Sequence, residues 1–180
     1  MLQLHIDSKE LYDEEKNVFL NTKPQSLQLE HSLISMSKWE SKWKKPFLSK
    51  GDKTVEESID YIRCMTITQN VDPNIYNFIG NDLIRQVILY IEDSMTATTF
   101  GKNSDDRISR EIVTAEIIYY WMVAHQIPFE CEKWHLNRLL TLIKVCNIKN
   151  QPKKKLNKKA LLRNNYALNA ARRAELNTTG

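Results

Sequence analysis

Glycine, proline and cysteine are all scarce in this chain of 180 residues. Four glycines, five prolines and three cysteines are too few for a collagen-like or Gly/Pro-rich disordered protein, or for a small secreted domain held by disulfides. The longest apolar run, residues 117–124, lies between Glu116 and His125 and is far shorter than the roughly 20 residues of a membrane span. No pattern of a secretory leader follows Met1. We therefore expect a protein of a reducing cytoplasm with no membrane partner.

Charge is small overall but unevenly distributed. The net charge at pH 7 is +4. Residues 151–180 contain eight lysines and arginines and one glutamate, so this segment carries +7 and leaves −3 for residues 1–150. We predict a globular domain over residues 1–150, followed by a basic C-terminal arm over residues 151–180.

The spacing of apolar residues indicates strands first and helices afterwards. Up to residue 31, apolar residues alternate with polar ones, as in Leu2, Leu4 and Ile6, or form short runs between polar turns. After that point the spacing becomes helical. We predict an α+β fold that is mainly α-helical: a small N-terminal antiparallel β-sheet (1–31) packed on a helical bundle (32–150), with a helical or flexible basic arm.

Capping patterns predict where helices begin. Thr54 and Glu57 have the spacing of a capping box, so we expect a helix that starts there and runs to about Gln69. Asp72 followed by Pro73 is a second start signal, because aspartate is a good cap and proline suits the first helical position.

The second half of the domain is expected to hold the most buried helix. Ser109 can cap a helix that is apolar almost all round and ends at Pro128, so we predict that it is the central buried helix. A second long helix is predicted from Phe129 to about Asn147, and the short connection indicates an antiparallel pair. Residues 94–107 have no apolar period and are predicted to form an exposed loop.

The sequence contains none of the common catalytic motifs. It has no Gly-rich phosphate loop, no Gly-x-Ser-x-Gly, no His-Glu-x-x-His and no Cys-x-x-Cys. We therefore expect a protein that is not an enzyme and that has no catalytic residues and no cofactor.

A metal site is considered around one pair of residues. Cys131 and His135 are four residues apart, with His125 and Cys146 nearby, and two zinc ligands on one helix have this spacing. A structural zinc site needs four ligands, so the favoured interpretation is core cysteines and a histidine at a helix edge, with no metal. Cys64 as a thiol nucleophile has no supporting pattern and is expected to be packing.

Residues 38–47 interleave lysines with Trp39, Trp43 and Phe47. Such a stretch can stack on bases while its lysines neutralise phosphates. Tryptophans four residues apart on a helix more often pack on the core of their own domain, with lysine stems lying over apolar surface, and we favour this interpretation. Because tryptophan is enriched at protein interfaces, all three aromatic residues are also candidates for partner binding.

The basic arm allows three interpretations: a nucleic-acid arm, a solvated helix, or a segment that orders on a protein partner. Clustered lysines bind phosphate without sequence preference. The leucines of the arm would not be needed for a purely electrostatic role, and they favour a protein partner over nucleic acid. The candidate partner-binding residues of the arm are Lys153, Lys154, Lys155, Leu161, Leu162, Leu168, Arg172 and Arg173.

Four internal stretches and the end of the arm carry a resemblance to a known family: residues 29–43, 60–66, 95–100, 133–140 and 168–173. Together they resemble the tail assembly chaperones of long-tailed bacteriophages. The resemblance implies a non-enzymatic factor of the host cytoplasm that coats apolar segments of the phage tape-measure protein and helps to recruit tail-tube subunits. It is also compatible with a homo-oligomer.

Two other classes of function stay open. One is a structural virion protein of the tail, connector or baseplate, whose N-terminal strands would extend a neighbouring sheet. The other is a nucleic-acid-binding protein that uses the basic arm, with an affinity that falls steeply as salt is added.

Overall fold

The computed structural model describes residues 1–8, 10–13, 18–49, 51–100, 112–150 and 158–178. As expected, the fold is α+β and mainly helical. The chain divides into two compact units, Met1–Ile148 and Lys149–Gly180. The elements in chain order are β1 (Leu2–Ile6), β2 (Glu10–Asp13), β3 (Val18–Asn21), β4 (Gln25–Leu29), α1 (Leu33–Trp43), α2 (Val55–Met65), a first 3-10 helix (Pro73–Phe78), α3 (Asn81–Glu92), α4 (Ala115–Ala124), a second 3-10 helix (Phe129–Lys133), α5 (Leu136–Asn150) and α6 (Lys158–Leu176).

The four strands form two antiparallel ladders that share one register. Strand β1 pairs with β4, and β2 pairs with β3. In both ladders the numbers of paired residues sum to 31, as for Leu2 with Leu29 and Glu10 with Asn21. The same register would place Pro24 between the ladders, and proline cannot donate a ladder hydrogen bond. The break in the ladder thus contains Pro24, which stands directly before β4.

One face of the β1–β4 ladder belongs to the core. Leu4, Ile6, Leu27 and Leu29 are all buried, whereas the residues between them are exposed. This alternation is the pattern of a strand with one buried face. Helix α3 packs against β1, so the sheet lies on the helices as expected.

Helix α2 ends earlier than expected because the chain after it joins the sheet. The capping box of Thr54 and Glu57 is present, which confirms the predicted start. The helix stops at Met65 rather than near Gln69, and the amide of Ile67 then donates to the carbonyl oxygen of Gln28 at 2.8 Å. Pairing along the outer edge of β4 replaces the last helical turn. The Asp72 cap and the proline at the first 3-10 position are also confirmed.

Helix α4 is buried on one side only. Ala115, Ile118 and Met122 form its buried stripe, and α1 is a neighbouring element. On the other side Tyr120 is 68% exposed and Val123 is 60% exposed. The expectation of a helix buried all round is therefore wrong. Thr114 stands at its N-cap, and the expected cap at position 109 lies outside the described residues.

The segment after α4 also differs from the expectation. The stretch predicted as one long helix begins with the 3-10 helix Phe129–Lys133, and α5 begins only at Leu136. His125 at the C-cap of α4 hydrogen-bonds Asn147, with 2.8 Å between Nε2 and Oδ1. The end of α4 thus lies beside the end of α5, so the expected antiparallel pair is wrong.

Residues 94–100 contain no helix or strand, and the remainder of the predicted loop lies outside the described residues.

None of the helices in the described parts of the chain has the length and apolar character that crossing a bilayer requires.

Candidate protein-binding surfaces

Two of the three aromatic residues in the stretch 38–47 are buried inside the domain. Trp39 is 1% exposed, and its indole Nε1 donates to the carbonyl oxygen of Glu57 at 2.9 Å. Phe47 is 7% exposed, and its ring stacks on that of Tyr61 with 4.0 Å between centroids. Neither Trp39 nor Phe47 can contact a partner in this conformation, which agrees with the favoured packing interpretation.

Trp43 is only half-buried, and its indole also has a partner within the domain. Its Nε1 donates to Asp60 Oδ2 at 2.9 Å, and the ammonium of Lys42 donates to Asp60 Oδ1. Lys45 Nζ lies 2.5 Å from Glu57 Oε1. Burial alone would raise the pKa of Asp60, but the hydrogen bonds from Lys42 and Trp43 hold it below its usual value. Two lysines of the aromatic stretch are therefore paired with acids of α2.

Glu40 joins three segments through its buried carboxylate. Oε1 accepts from the amide of Phe47 at 2.6 Å, and Oε2 accepts from the amide of Ala115 at 2.8 Å. The second amide belongs to the first turn of α4, which has no intrahelical acceptor. The carboxylate thus fixes the end of α1, the following turn and the start of α4 relative to one another.

A pair of buried histidines lies where β4, α1 and α5 meet. The rings of His31 and His135 are 5.0 Å apart, and the two residues are 2% and 6% exposed. His31 Nδ1 is 2.5 Å from the Tyr61 hydroxyl, and His135 Nε2 donates to the Tyr90 carbonyl oxygen at 3.0 Å. Burial, with a smaller contribution from His135, lowers the pKa of His31 to about 3, and burial also lowers the pKa of His135. Both imidazoles are therefore neutral near pH 7.

The pair considered for zinc does not lie on one helix. Cys131 is in the second 3-10 helix, whereas His135 lies beyond the end of that helix and forms a β-bridge with Ser32. The described residues contain no group of three or more His, Cys, Asp or Glu side chains that could hold a metal ion. Burial raises the pKa of the Cys131 and Cys64 thiols, which disfavours the nucleophilic thiolate.

An apolar groove of about 560 Å³ opens between α2, α3 and the segments 47–49 and 51–53. Buried Ile62 and Val87 belong to its lining. Leu48, 41% exposed, and Ile88, 47% exposed, also line it and reach solvent. The volume and lining fall within the range of sites that accept apolar groups. Sequence patterns did not indicate this groove, because its walls come from segments about 40 residues apart.

Three charged residues, Asp52, Lys53 and Glu92, line the groove, and the lysine is bound by the groove itself. Lys53 Nζ donates to the carbonyl oxygen of Phe47 at 2.8 Å and lies 4.3 Å from the centroid of the Phe47 ring. Burial lowers the pKa of Lys53, although Glu57 opposes this effect. With its lysine held in this way, the groove offers a mainly apolar surface to an incoming side chain.

A second apolar surface lies on the outer side of α4, and we call it the α4 patch. It consists of Tyr119, Tyr120, Val123 and Phe129. Phe129 is 55% exposed, and its ring lies 6.3 Å from that of Tyr119. The hydroxyl of Tyr119 donates to Glu132 Oε2 at 2.9 Å, so its polar end already has a partner. Surface helices usually present polar residues to solvent, which makes this face unusual.

The described part of the basic arm forms α6. Leu162 is 62% exposed and Leu168 is 56% exposed, and Arg172 and Arg173 are exposed as well. Tyr166, 83% exposed, is an aromatic residue of this surface that the sequence analysis did not single out. The remaining candidates of the arm, Lys153, Lys154, Lys155 and the side chain of Leu161, lie outside what the structure describes.

No protein-family model, curated protein or solved structure matched this chain.

Proposed function

We propose that this protein is a tail assembly chaperone of a long-tailed bacteriophage. It binds apolar helical segments of the tape-measure protein and helps to recruit tail-tube subunits. The resemblance in sequence supports the proposal, and the apolar groove between α2 and α3 is the observation that carries it.

The groove suits a helical client. Helix-binding grooves accept apolar side chains that recur every three or four residues, and Leu48 and Ile88 provide the exposed walls against which such side chains can pack. A groove of about 560 Å³ holds only a few side chains, so each site binds weakly and releases its client readily. Several copies of the protein along one long client would then shield its apolar stretches until tube subunits replace them.

Coexpression with the tape-measure protein tests this proposal. The fraction of tape-measure protein that stays soluble is compared for the wild type, Ile88→Lys and Leu89→Lys. Ile88 lines the groove, whereas Leu89 is 69% exposed and is not part of the lining, so Leu89→Lys is the matched control. We expect the wild type and Leu89→Lys to keep the client soluble and Ile88→Lys to lose this effect.

Two outcomes would contradict the proposal. One is equal client solubility with Ile88→Lys and with the wild type. The other is stoichiometric presence of this protein in purified virions, measured by mass spectrometry, which would favour a structural component of the tail.

The arm favours a second candidate function, nucleic-acid binding. Arg163, Arg172 and Arg173 are all exposed on α6, and phosphate binding by such residues is strongly salt-dependent. Replacing the three arginines by glutamine in the full chain should weaken DNA or RNA binding and reduce its dependence on salt if this function is real. If the substitutions instead reduce capture of the tape-measure protein at constant salt, the arm is a protein-binding element.

A further inference from the structure

We propose that the groove between α2 and α3 preferentially binds helical segments of the client in which lysine or arginine flanks the apolar residues. This inference rests on the proposed function, because it concerns the same groove and names the chemistry of the segment that binds there.

Two carboxylates without a cation are the first argument. Asp52 precedes α2 and Glu92 ends α3, and both residues line the groove and are exposed. Neither has an ion-pair partner among the residues that the structure describes. Both can therefore pair with a cation that an incoming segment provides, and such complementarity of charge gives an interface its specificity.

The lysine of the groove does not neutralise these acids. Lys53 Nζ donates to the Phe47 carbonyl oxygen and lies against the Phe47 ring, and it forms no ion pair with either carboxylate of the lining. Two acids and one lysine leave the lining with one net negative charge. A client segment that carries lysine or arginine matches this charge.

The end of α3 is a second source of negative potential at the groove. The C-terminal end of a helix carries a partial negative charge, which basic residues in the last turn compensate. The last turn of α3 contains no basic residue, and Asp93 stands at its C-cap directly after Glu92. A cation of the client beside Glu92 would therefore be attracted by both carboxylates and by the helix end.

The apolar lining requires that the same segment also be amphipathic. Helix α3 lines the groove with Ile84, Val87, Ile88 and Ile91, whose spacing of three or four residues forms one apolar stripe. A client helix can pack its own apolar stripe on this surface. The long stems of lysine and arginine can lie over apolar surface while their charged ends stay in water, so cations beside the stripe can reach the acids of the lining.

The preference should be modest, because both acids are exposed. Exposed ion pairs contribute little individually, so two of them should tighten binding by roughly three- to tenfold at low salt. This part of the affinity should decrease as salt is added, whereas the part that comes from apolar contact should not.

Fluorescence anisotropy with the full-length protein tests the inference. Two labelled synthetic helical peptides share one leucine spacing and differ only in having lysines or glutamines beside the leucines. We expect the wild type to bind the lysine peptide more tightly by the stated factor. Ile88→Gln should weaken the binding of both peptides, because it places a polar group in the apolar lining.

Two double variants isolate the contribution of the carboxylates. Asp52→Asn with Glu92→Gln should bind the two peptides about equally. Glu56→Gln with Asp82→Asn is the matched control, since it removes two exposed acids that do not line the groove, and it should keep the wild-type preference. The basic arm is the same in all these proteins, so the comparison between them reports the groove acids.

The outcomes that would overturn the inference separate it from the proposed function. Equal binding of the two peptides by the wild type, with weaker binding of both by Ile88→Gln, would reject the charge preference and leave the groove as the client site. Binding of neither peptide would contradict the inference and the proposed function together. Self-association that Ile88→Gln abolishes, measured by sedimentation velocity, would identify a second copy as the occupant instead.

Discussion

Helices α1 and α4 pack against each other, and both are rich in aromatic residues, yet they use them in opposite ways. In α1 the indole of Trp39 is buried and donates to a backbone carbonyl of α2, and the indole of Trp43 donates to Asp60. In α4 the ring of Tyr120 stands mostly in solvent. The two tryptophans of α1 are thus bound to α2 through their indole nitrogens, whereas the ring of Tyr120 is not buried.

The two helices also differ in their charges. Lys42 of α1 and Lys45, which follows the helix, pair with Asp60 and Glu57 of α2, so the charges of these two lysines are compensated within the domain. Helix α4 carries little charge to compensate. The contact between α1 and α2 therefore stabilises the fold, whereas the outer face of α4 is an exposed apolar surface.

The largest loss of unfolding free energy is expected when the buried tryptophan of α1 is removed. Trp39→Ala removes a fully buried indole and its hydrogen bond to Glu57, so it should lower the free energy of unfolding by about 3–5 kcal/mol. Tyr120→Ala on the exposed face should change it by only about 0.5 kcal/mol. Urea unfolding of the two variants measures the difference. Similar losses in both would show that α1 and α4 do not differ in how their aromatic residues contribute to stability.

The second largest loss of unfolding free energy is expected when the Glu40 carboxylate, which joins α1 to the start of α4, is removed. Glu40→Ala leaves the buried amides of Phe47 and Ala115 without their acceptor, which should cost about 2–3 kcal/mol of unfolding free energy. Glu40→Gln keeps one acceptor oxygen, so it should cost less than Glu40→Ala. An unchanged midpoint of urea unfolding in Glu40→Ala would show that these hydrogen bonds do not hold α4 in place.

The buried histidines predict a dependence of stability on pH. The pKa of His31 is lowered from 6.5 to about 3 in the folded state, so unfolding takes up a proton below pH 6.5. The stabilisation is complete above that pH and is lost as pH falls, by about 1.4 kcal/mol per pH unit, or roughly 2 kcal/mol at pH 5 from His31 alone.

Thermal unfolding between pH 7.5 and pH 5 measures this slope. The acids Asp60 and Glu57, whose pKa values are lowered by hydrogen bonds, lose their stabilisation only below their ordinary values of 3.8 and 4.5, so the upper window reports the histidines. His31→Phe should flatten the slope. A wild-type stability that is constant from pH 7.5 to pH 5 would contradict the neutral, buried pair.

The smallest loss of unfolding free energy is expected for the ion pair of Lys42 and Asp60 between α1 and α2. The side chain of Lys42 is 56% exposed, and exposed ion pairs contribute at most about 1 kcal/mol. Lys42→Ala should therefore lower the free energy of unfolding by less than that amount, with a further decrease of the effect in high salt. A larger loss, comparable with that of Trp39→Ala, would show that charge rather than aromatic burial dominates the contact between α1 and α2.

The sequence indicated much of the fold and little of the binding surfaces, for physical reasons. Features that depend on residues close together in sequence could be predicted, and the capping box at Thr54 and the Asp72 cap are confirmed. The early end of α2 could not be predicted, because it depends on the pairing of Ile67 with Gln28 from a distant strand. Likewise, the apolar sequence of α4 predicts a buried helix, because the spacing of apolar residues does not show how many sides of a helix are covered by neighbouring elements.

The same limit applies to the aromatic stretch. Trp39 and Tyr120 are both aromatic residues on helices, and the tertiary partners of each decide whether it is buried. The α2–α3 groove could not be found at all from local patterns, because Leu48 and Ile88 come together only after folding.

The central claim is that the aromatic residues of α1 stabilise the fold, whereas the exposed ones of α4 contribute little to it. Urea unfolding of Trp39→Ala and Tyr120→Ala under the same conditions tests this claim most directly. We predict a loss of about 3–5 kcal/mol of unfolding free energy for Trp39→Ala and a change of only about 0.5 kcal/mol for Tyr120→Ala. Equal losses in the two variants would contradict the claim.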